Sequence, residues 1–434
     1  MQPETAAKYR PRFFVFRKQE DNLENQFTQD TPLTELEQMR MKVTLTSCAH
    51  PEYGEVTIPF PIPDEEYDHT MDLLGGLDIG DTLAQDCQIV RVESEYPVLT
   101  QLEGTMVNVD ELDYLARRMN CLYGDEETQF WGMAHKMKLS DIKDFIDLAS
   151  CCQKATVITD FSDLEKIGWD HFRNVTDGDM RSEEYKLWDG REAALALIES
   201  GQGTVTPYGV VYDNGMVLEQ HYGGQEFPAF PDGSRFLALE IMPDGDFAFH
   251  PPHLYLPAPM QQIERMMHRA GIDGLSDAHM LLDYHDLPEK VAEALHLKFV
   301  RGSEIPELNR MCQAIEPLQR ADREKLNAVV QLAEPQNAYE ICQLVENLDQ
   351  FDFVPKVHTP EEYGKYMIQQ SGHFEFDENL AEFYDYRRYG EQRVQQEDGG
   401  FTACGYVSYH GTLTLDELMR EEPAEEQGMQ MRGM

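Results

Sequence analysis

The sequence predicts an α+β fold in which one structural unit occurs twice in tandem. The first observation behind this prediction is a long repeat. Residues 188–191 and 209–212 (WDGR and GVVY) are matched by residues 384–387 and 405–408 (YDYR and GYVS), each 196 positions further along. Solenoid repeats are about 20–50 residues long, so a repeat of this length indicates a duplicated domain. The second observation is that short strands and amphipathic helices follow each other in the same order in both copies.

The repeat extends upstream with small gaps. Apolar residues at helical spacing recur at the same shift: Leu112, Leu115, Met119 and Leu122 in the first copy, and Leu308, Met311, Ile315 and Leu318 in the second. Residues 58–61 match residues 256–259 at a shift of 198. Ile158 and Leu164 match Val357 and Tyr363 at a shift of 199. The alternative is two unrelated α+β segments with similar turn residues.

The elements follow from periodicity and from capping residues. In the first copy we predict strands at 13–16, 41–45, 51–63 (with a turn), 88–92, 155–158 and 204–212, and helices at 65–74, 109–123, 125–137, 140–149 and 192–200. Asn108 or Asp110 is expected to cap the second of these helices, and Ser140 the fourth. In the second copy we predict helices at 304–317, 320–331, 337–348 and 381–395, and strands at 236–241, 353–357 and 401–409.

These elements divide the chain into five parts. Residues 51–215 form copy one, residues 253–411 form copy two, and a connector rich in Gly and Pro joins them at 216–252. Residues 412–434 form an acidic tail. Residues 1–50 are a candidate for the opening strands of copy one, because the strand at 41–45 has a counterpart at 236–241.

Composition limits the class of protein. The chain of 434 residues is 41% hydrophobic and 10% aromatic, enough for packed cores. No run of 18 apolar residues occurs, and the polar first residues do not resemble a signal peptide. The eight cysteines show no metal or disulfide spacing, so we expect reduced thiols and a cytoplasmic location.

The net charge of −44 is the strongest compositional signal. Residues 1–50 hold seven acids and seven bases, whereas copy one holds 34 acids and 12 bases and copy two 27 acids and 14 bases. Such charge disfavours direct binding to nucleic acid or to an anionic membrane, and favours a cationic partner. The alternative is that the acidity serves solubility or reflects a halophilic source.

The sequence offers no interpretable catalytic site. It contains no HExxH, P-loop or GxSxG motif, and no nucleophile stands at a readable spacing from a base. Histidines gather around the start of copy two, but their counterparts in copy one are mostly other residues. We therefore expect a protein that is not an enzyme and uses no metal and no cofactor.

A family resemblance appears in copy two. Residues 378–391 (ENLAEFYDYRRYGE) resemble the NLxxYxDYExxGRD segment of ArdA-type antirestriction proteins, and an aromatic residue, Phe401, and a short strand at 405–407 follow, as in that family. Residues 282–285 (LDYH) resemble the family's DYE turn, and residues 304–309 (EIPELN) its helix start. Copy one keeps the helix start at 109–116 but has a degraded tyrosine segment at 185–191.

This resemblance implies a DNA mimic. ArdA-type proteins are elongated, curved and acidic, they dimerise, and they occupy the DNA groove of type I restriction–modification enzymes. Mobile genetic elements carry them to escape restriction. The resemblance therefore implies an elongated acidic rod, with small α/β modules and a helical middle in each copy, whose two copies replace the two subunits of the usual dimer; a homodimer of the chain is also compatible with it.

The acids expected to form the mimic surface are exposed carboxylates on the helical regions: Asp110, Glu111, Asp113, Asp125, Glu126, Glu127, Asp141, Asp144, Asp147, Glu304, Glu307, Asp322, Glu324, Glu361, Glu362, Glu382 and Asp385. B-DNA carries one charge per roughly 1.7 Å of its axis, so a folded array of carboxylates could occupy a basic groove. Two other functions stay open. One is an acidic scaffold or regulator, encoded on a mobile element, that binds a basic protein other than a restriction enzyme, and the other is a metal-dependent enzyme.

Overall fold

The computed structural model describes residues 40–176, 188–230, 232, 235–242, 252–272, 274, 279–284, 286–295, 299–373 and 375–420. The strand predicted at 13–16 and most of the acidic tail lie outside these residues. The predicted α+β class is confirmed, because small antiparallel sheets alternate with helices along the chain.

The first half opens with a four-stranded antiparallel sheet. Its strands are β1 (Met41–Ser47), β2 (Glu55–Phe60), β3 (Cys87–Glu93) and β4 (Met106–Val107), in the order β2-β1-β3-β4. Helix α1 (Tyr67–Gly75) lies between β2 and β3 in sequence. In β1 the alternate residues Met41, Val43 and Leu45 are buried, which is the pattern of a strand with one face on a core.

Three helices follow: α2 (Val109–Asn120), α3 (Asp125–Met137) and α4 (Ile142–Ala149). Asn108 caps α2 and forms a capping box with Glu111. The prediction of Ser140 as the cap of α4 is wrong. The Asp141 carboxylate accepts the backbone N–H of Lys143 at 2.9 Å and fills that position instead.

The first half ends in a three-stranded sheet with two helices. The elements are β5 (Thr156–Ile158), α5 (Leu164–Thr176), α6 (Gly190–Glu199), β6 (Thr204–Thr206) and β7 (Gly209–Tyr212), and the strand order is β5-β7-β6. The single strand predicted at 204–212 is wrong. Its residues form a hairpin, with Thr206 paired to Gly209, because Gly209 has a φ of 129° that turns the chain.

The second half has its own elements: β8 (Leu237–Met242), β9 (His253–Leu256), α7 (Met260–Arg269), β10 (His279–Tyr284), α8 (Glu289–Leu295), β11 (Phe299–Arg301), α9 (Ile305–Ile315), α10 (Arg320–Ala333), α11 (Ala338–Glu346), β12 (Phe351–Pro355), α12 (Pro360–Gln369), α13 (Tyr386–Gln396), β13 (Gly399–Phe401), β14 (Gly405–Tyr409) and α14 (Leu415–Leu418). The helix predicted at 381–395 begins later, because Asp385 caps α13 and residues 378–383 form a 3-10 turn. The strand predicted at 401–409 is again a hairpin, formed by β13 and β14.

The two halves share their strand orders. The second half has the orders β11-β10-β8-β9 and β12-β14-β13, which are those of the first half with each strand replaced by its counterpart. A cis peptide bond precedes Pro61 and Pro257, and left-handed residues follow α3 and α10 at Lys138 and Glu334. The two cis-prolines are 196 positions apart, and so are the two left-handed residues.

The sheet register corrects two of the sequence pairings. Ile158 lies opposite Val210, and Val354 lies opposite Tyr406, so Ile158 corresponds to Val354 and not to Val357. Likewise, the cis bonds equate residues 60–61 with residues 256–257, which replaces the shift of 198 by 196. Both pairings, Ile158 with Val354 and residues 60–61 with residues 256–257, therefore have the same shift of 196 positions.

Each half has a large apolar core, and the connector belongs to the first. Tyr222, Phe227 and Phe230 from the predicted connector are buried in the same cluster as the sheet and helices of the first half. The Tyr114 ring stacks on Phe227 at 4.4 Å between centroids. This segment therefore completes the first core.

Glycines let two helices cross closely in the last module of each half. A Cβ atom on Gly364 of α12 would overlap the carbonyl oxygen of Tyr386 in α13, and one on Gly390 would overlap the carbonyl oxygen of Pro360. In the first half a Cβ on Gly168 would overlap the carbonyl oxygen of Gly190 in the same way. Backbone contact of this kind requires glycine.

We predict that Gly364→Ala lowers the free energy of unfolding by about 1–3 kcal/mol, because α12 and α13 must move apart. The control is Gly75→Ala, at the exposed end of α1, where an added Cβ meets nothing within 4 Å. Chemical denaturation of both variants checks this, and equal stability of Gly364→Ala and the wild type would contradict the close crossing.

Candidate acidic binding surface

The predicted acids divide into surface and buried groups. The exposed ones are Asp125, Asp141, Glu307, Asp322, Glu324, Glu361, Glu362, Glu382 and Asp385, and the partly exposed ones are Glu126, Glu127, Asp144 and Glu304. These thirteen carboxylates can contact a partner. They come from both halves, mainly from the first turns of helices or the residues just before them.

Four predicted surface acids are buried, and for them the prediction of exposure is wrong. Asp110, Glu111, Asp113 and Asp147 have relative exposures of 7%, 1%, 3% and 1%. Asp147 lies on α4 and is covered by the connector at His221 and Tyr222. The other three lie on α2, which is covered on two sides. One side packs on the core of the first half, and the other side faces the connector and helix α7 of the second half.

Glu111 and Asp147 bind the connector. The Tyr222 hydroxyl donates to Glu111 Oε1 at 3.1 Å. Asp147 Oδ1 accepts the backbone N–H groups of His221 and Tyr222 at 2.9 and 2.8 Å. A buried carboxylate needs such donors, so these two acids hold the connector against the helices.

Asp113 anchors the turn after the first cis-proline. It accepts the N–H of Ile62 at 2.7 Å and Nε of Arg117 at 2.8 Å. In the second half, Asn309 accepts the N–H of Ala258 at 2.9 Å and donates to the same residue's carbonyl at 2.7 Å. The Asn309 amide therefore holds the turn in copy two. In copy one the Asp113 carboxylate holds the equivalent turn, and Arg117 neutralises its charge.

Asp110 pairs with an arginine of the second half. Nε and Nη2 of Arg265 reach its two carboxylate oxygens at 2.8 and 3.0 Å. This is the two-pronged geometry in which guanidinium and carboxylate bind most strongly. The Asp110 carboxylate is therefore engaged in an internal ion pair and is not available to a partner.

Several surface acids also cap backbone segments. Asp385 accepts the N–H of Arg388 at 3.1 Å, Glu304 that of Arg301 at 2.8 Å, and Glu362 that of His358 at 2.8 Å. The bond from His358 is the main reason that the pKa of Glu362 lies below its ordinary value. Capping fixes these side chains in place while their outer oxygens remain available to a partner.

Sequence reasoning missed the acids of the first sheet module. We call this set the first-module acids, and its members are the exposed residues Glu52, Glu55, Glu65, Glu66, Asp68, Asp72, Asp78, Asp81, Glu93 and Glu95. Asp68 and Asp72 lie about one turn apart on the outer face of α1, roughly 6 Å along the axis. Counting acids and bases over shorter segments of the sequence would have found them, since residues 51–100 hold twelve acids and one base.

The described part of the chain contains no cluster of three His, Cys, Asp or Glu side chains placed to hold a metal ion. Within the same residues, no helix has the length and apolarity of a membrane span.

We predict that Asp110→Asn lowers the free energy of unfolding by about 3 kcal/mol, because it leaves the Arg265 charge buried without its partner. Asp72→Asn is the matched control and should change stability by less than about 0.5 kcal/mol, because Asp72 is exposed. Both values come from chemical denaturation. A stability change as small for Asp110→Asn as for the control would contradict the ion pair.

Comparison with known proteins bears on the second half. Residues 251–408 match the family model of the antirestriction protein ArdA. No curated protein matches this chain. The match runs from the start of β9 into β14 and includes the tyrosine-rich segment that suggested the resemblance. The match supports the resemblance for the second half, in which residues 251–408 are similar to the ArdA antirestriction family.

Proposed function

We propose that this chain is an antirestriction protein in which two ArdA-type copies are joined and present carboxylates in place of DNA phosphates. The target proposed is the DNA-binding groove of a type I restriction–modification enzyme. The observation that carries this proposal is the family match over residues 251–408, together with the excess of acids throughout both halves.

The repetition of structure supports two copies. Both sheets of the first half have their counterparts in the second half in the same strand order, and the cis-prolines and left-handed helix ends recur at one shift. Under this proposal the two halves stand in for the two subunits of an ArdA dimer, in one elongated acidic rod.

The placement of the acids supports mimicry. The carboxylates that remain on the surface sit on capped helices and on a sheet module, so their positions are set before a partner arrives. A partner's basic groove then gains ion pairs without first folding the segments that carry the acids, which lowers the cost of binding. The negative electrostatic field of these acids also raises the rate of association with a cationic surface.

The test is DNA cleavage by a purified type I enzyme with increasing amounts of this chain. Inhibition that is relieved by raising the concentration of the cleavable duplex supports mimicry. An acidic scaffold or regulator predicts instead that cleavage proceeds unchanged while the chain retains some other basic protein.

Mimicry is collective, and this gives a prediction for the first-module acids. Glu65→Gln, Asp68→Asn and Asp72→Asn combined should weaken inhibition roughly tenfold, since each exposed ion pair contributes about 0.5 kcal/mol. Each single change should have an effect of about twofold. The charge-conserving control Glu65→Asp, Asp68→Glu and Asp72→Glu should inhibit like the wild type, and full inhibition by the neutralised variant would exclude these acids from the binding surface.

A further inference from the structure

The two halves meet where helix α7 lies against helix α2, and α7 contributes two arginines and Gln262, whose Nε2 donates to Asp113 Oδ2 at 3.2 Å. Arg265 binds both oxygens of Asp110, and its Nη1 donates to the carbonyl of Gly80 at 2.7 Å. The side chains of Arg265 and Asp110 are only 13% and 7% exposed. The pair is therefore shielded from solvent and from salt.

Arg269 joins three segments at once. It is 1% exposed, and it donates to the carbonyl of Gln225 at 2.9 Å, to the Tyr222 hydroxyl at 2.5 Å and to the carbonyl of Thr82. Its guanidinium lies 4.2 Å from the centre of the Phe227 ring. One side chain of the second half thus holds both the connector and a loop of the first half.

Arg235 lies two residues before β8 and next to Phe236 of the second core, so it belongs to the second half, and it makes a second attachment. It pairs with Asp64 at 2.6 Å and donates to the carbonyl of Pro257, while Arg117 of the first half approaches Asp64 at 3.0 Å. Burial would raise the pKa of Asp64, but these two guanidinium groups hold that pKa below its ordinary value. Asp64 therefore stays ionised at neutral pH and keeps both contacts.

We call this set, Arg235, Arg265 and Arg269 with Asp64 and Asp110, the arginine junction. Its carboxylates all come from the first half and its guanidinium groups that cross the boundary all come from the second. The halves are thus attached at two points, at Asp110 and at Asp64. Two attachment points restrain the rotation of one half against the other as well as their separation.

The counterpart positions of the repeat do not carry the junction charges of Asp110, Arg265 and Arg269. At a shift of 196, Asp110 corresponds to Pro306, Arg265 to His69 and Arg269 to Leu73, which is 48% exposed. Residues that hold a turn within one half, such as Asp113 and Asn309, therefore occur in both copies. Each of these junction charges occurs in one copy, at a position where the two halves meet. This pattern is expected of a contact selected to join two specific surfaces.

We infer that the arginine junction fixes the orientation of the two acidic halves, and that a target must meet both halves at that orientation to be inhibited. This inference rests on the proposed function and adds a positioning role for residues that are too buried to touch the target. Two binding surfaces held at the right separation can exceed the affinity of either one by roughly 10²–10⁴, and the gain falls when the link becomes loose.

The test measures orientation and inhibition on the same variants. Spin labels are placed on Cys48, which is exposed in the first half, and on Gln313→Cys, exposed in the second half, with Cys404→Ser to remove a partly exposed thiol. Pulsed electron resonance should give one narrow distance distribution for this protein. Arg265→Ala combined with Arg269→Ala should broaden it and weaken inhibition of the type I enzyme at least about tenfold.

The control is Arg191→Ala combined with Arg388→Ala, which removes the same charge from two exposed residues, one in each half. This control should change neither the distance distribution nor the inhibition of the type I enzyme. If circular dichroism shows that the double junction variant is unfolded, Arg265→Lys, which keeps the charge but loses the two-pronged contact, is measured by the same criteria.

Two results would overturn the inference: a distribution that stays narrow without the junction arginines, or a broadened one with inhibition unchanged. If the wild type does not inhibit at all, the proposed function fails, but the distance measurement still decides whether the junction fixes the halves.

Discussion

The structure depends on how a chain of net charge −44 places its carboxylates where they do not drive it apart. The solution is concentrated on α2. Three acids within about one turn of this helix would repel one another if exposed, but Asp110, Glu111 and Asp113 are each matched with a buried donor. The donors come from the second half, the connector and the helix itself. Burying acids with partners therefore joins the parts of the molecule and leaves the other carboxylates on the surface.

The consequence is a division between acids that build the protein and acids that can meet a partner. The internal acids have fixed, complementary neighbours, so their removal acts on stability. The surface acids on helix first turns and on the first sheet module have few cationic neighbours, because residues 51–100 contain one base. Only this second group can act in mimicry, and it acts as a field in which no single carboxylate is decisive.

The sequence predicted the helices with a single apolar face well, because periodicity reports one buried face. The helix predicted at 125–137 matches α3 at both ends, and most of the short strands were located to within two residues. It could not show that α2 is covered on two sides, since a charged residue in a helix pattern is normally a solvated one. Helices α5, α7 and α12 were missed, although Gly168 and Gly364 at one shift were a readable sign of close helix crossing. The hairpins were read as single strands because β-branched or aromatic residues stand on both sides of Gly209 and Gly405.

The central claim is that this chain and DNA compete for one groove. Fluorescence anisotropy of a labelled duplex bound to a purified type I restriction–modification enzyme tests it directly. We predict that the chain displaces the duplex completely and that raising the duplex concentration shifts the displacement curve in proportion, as for two ligands of one site. A ternary complex, in which the enzyme holds the chain and the duplex together, would contradict the account.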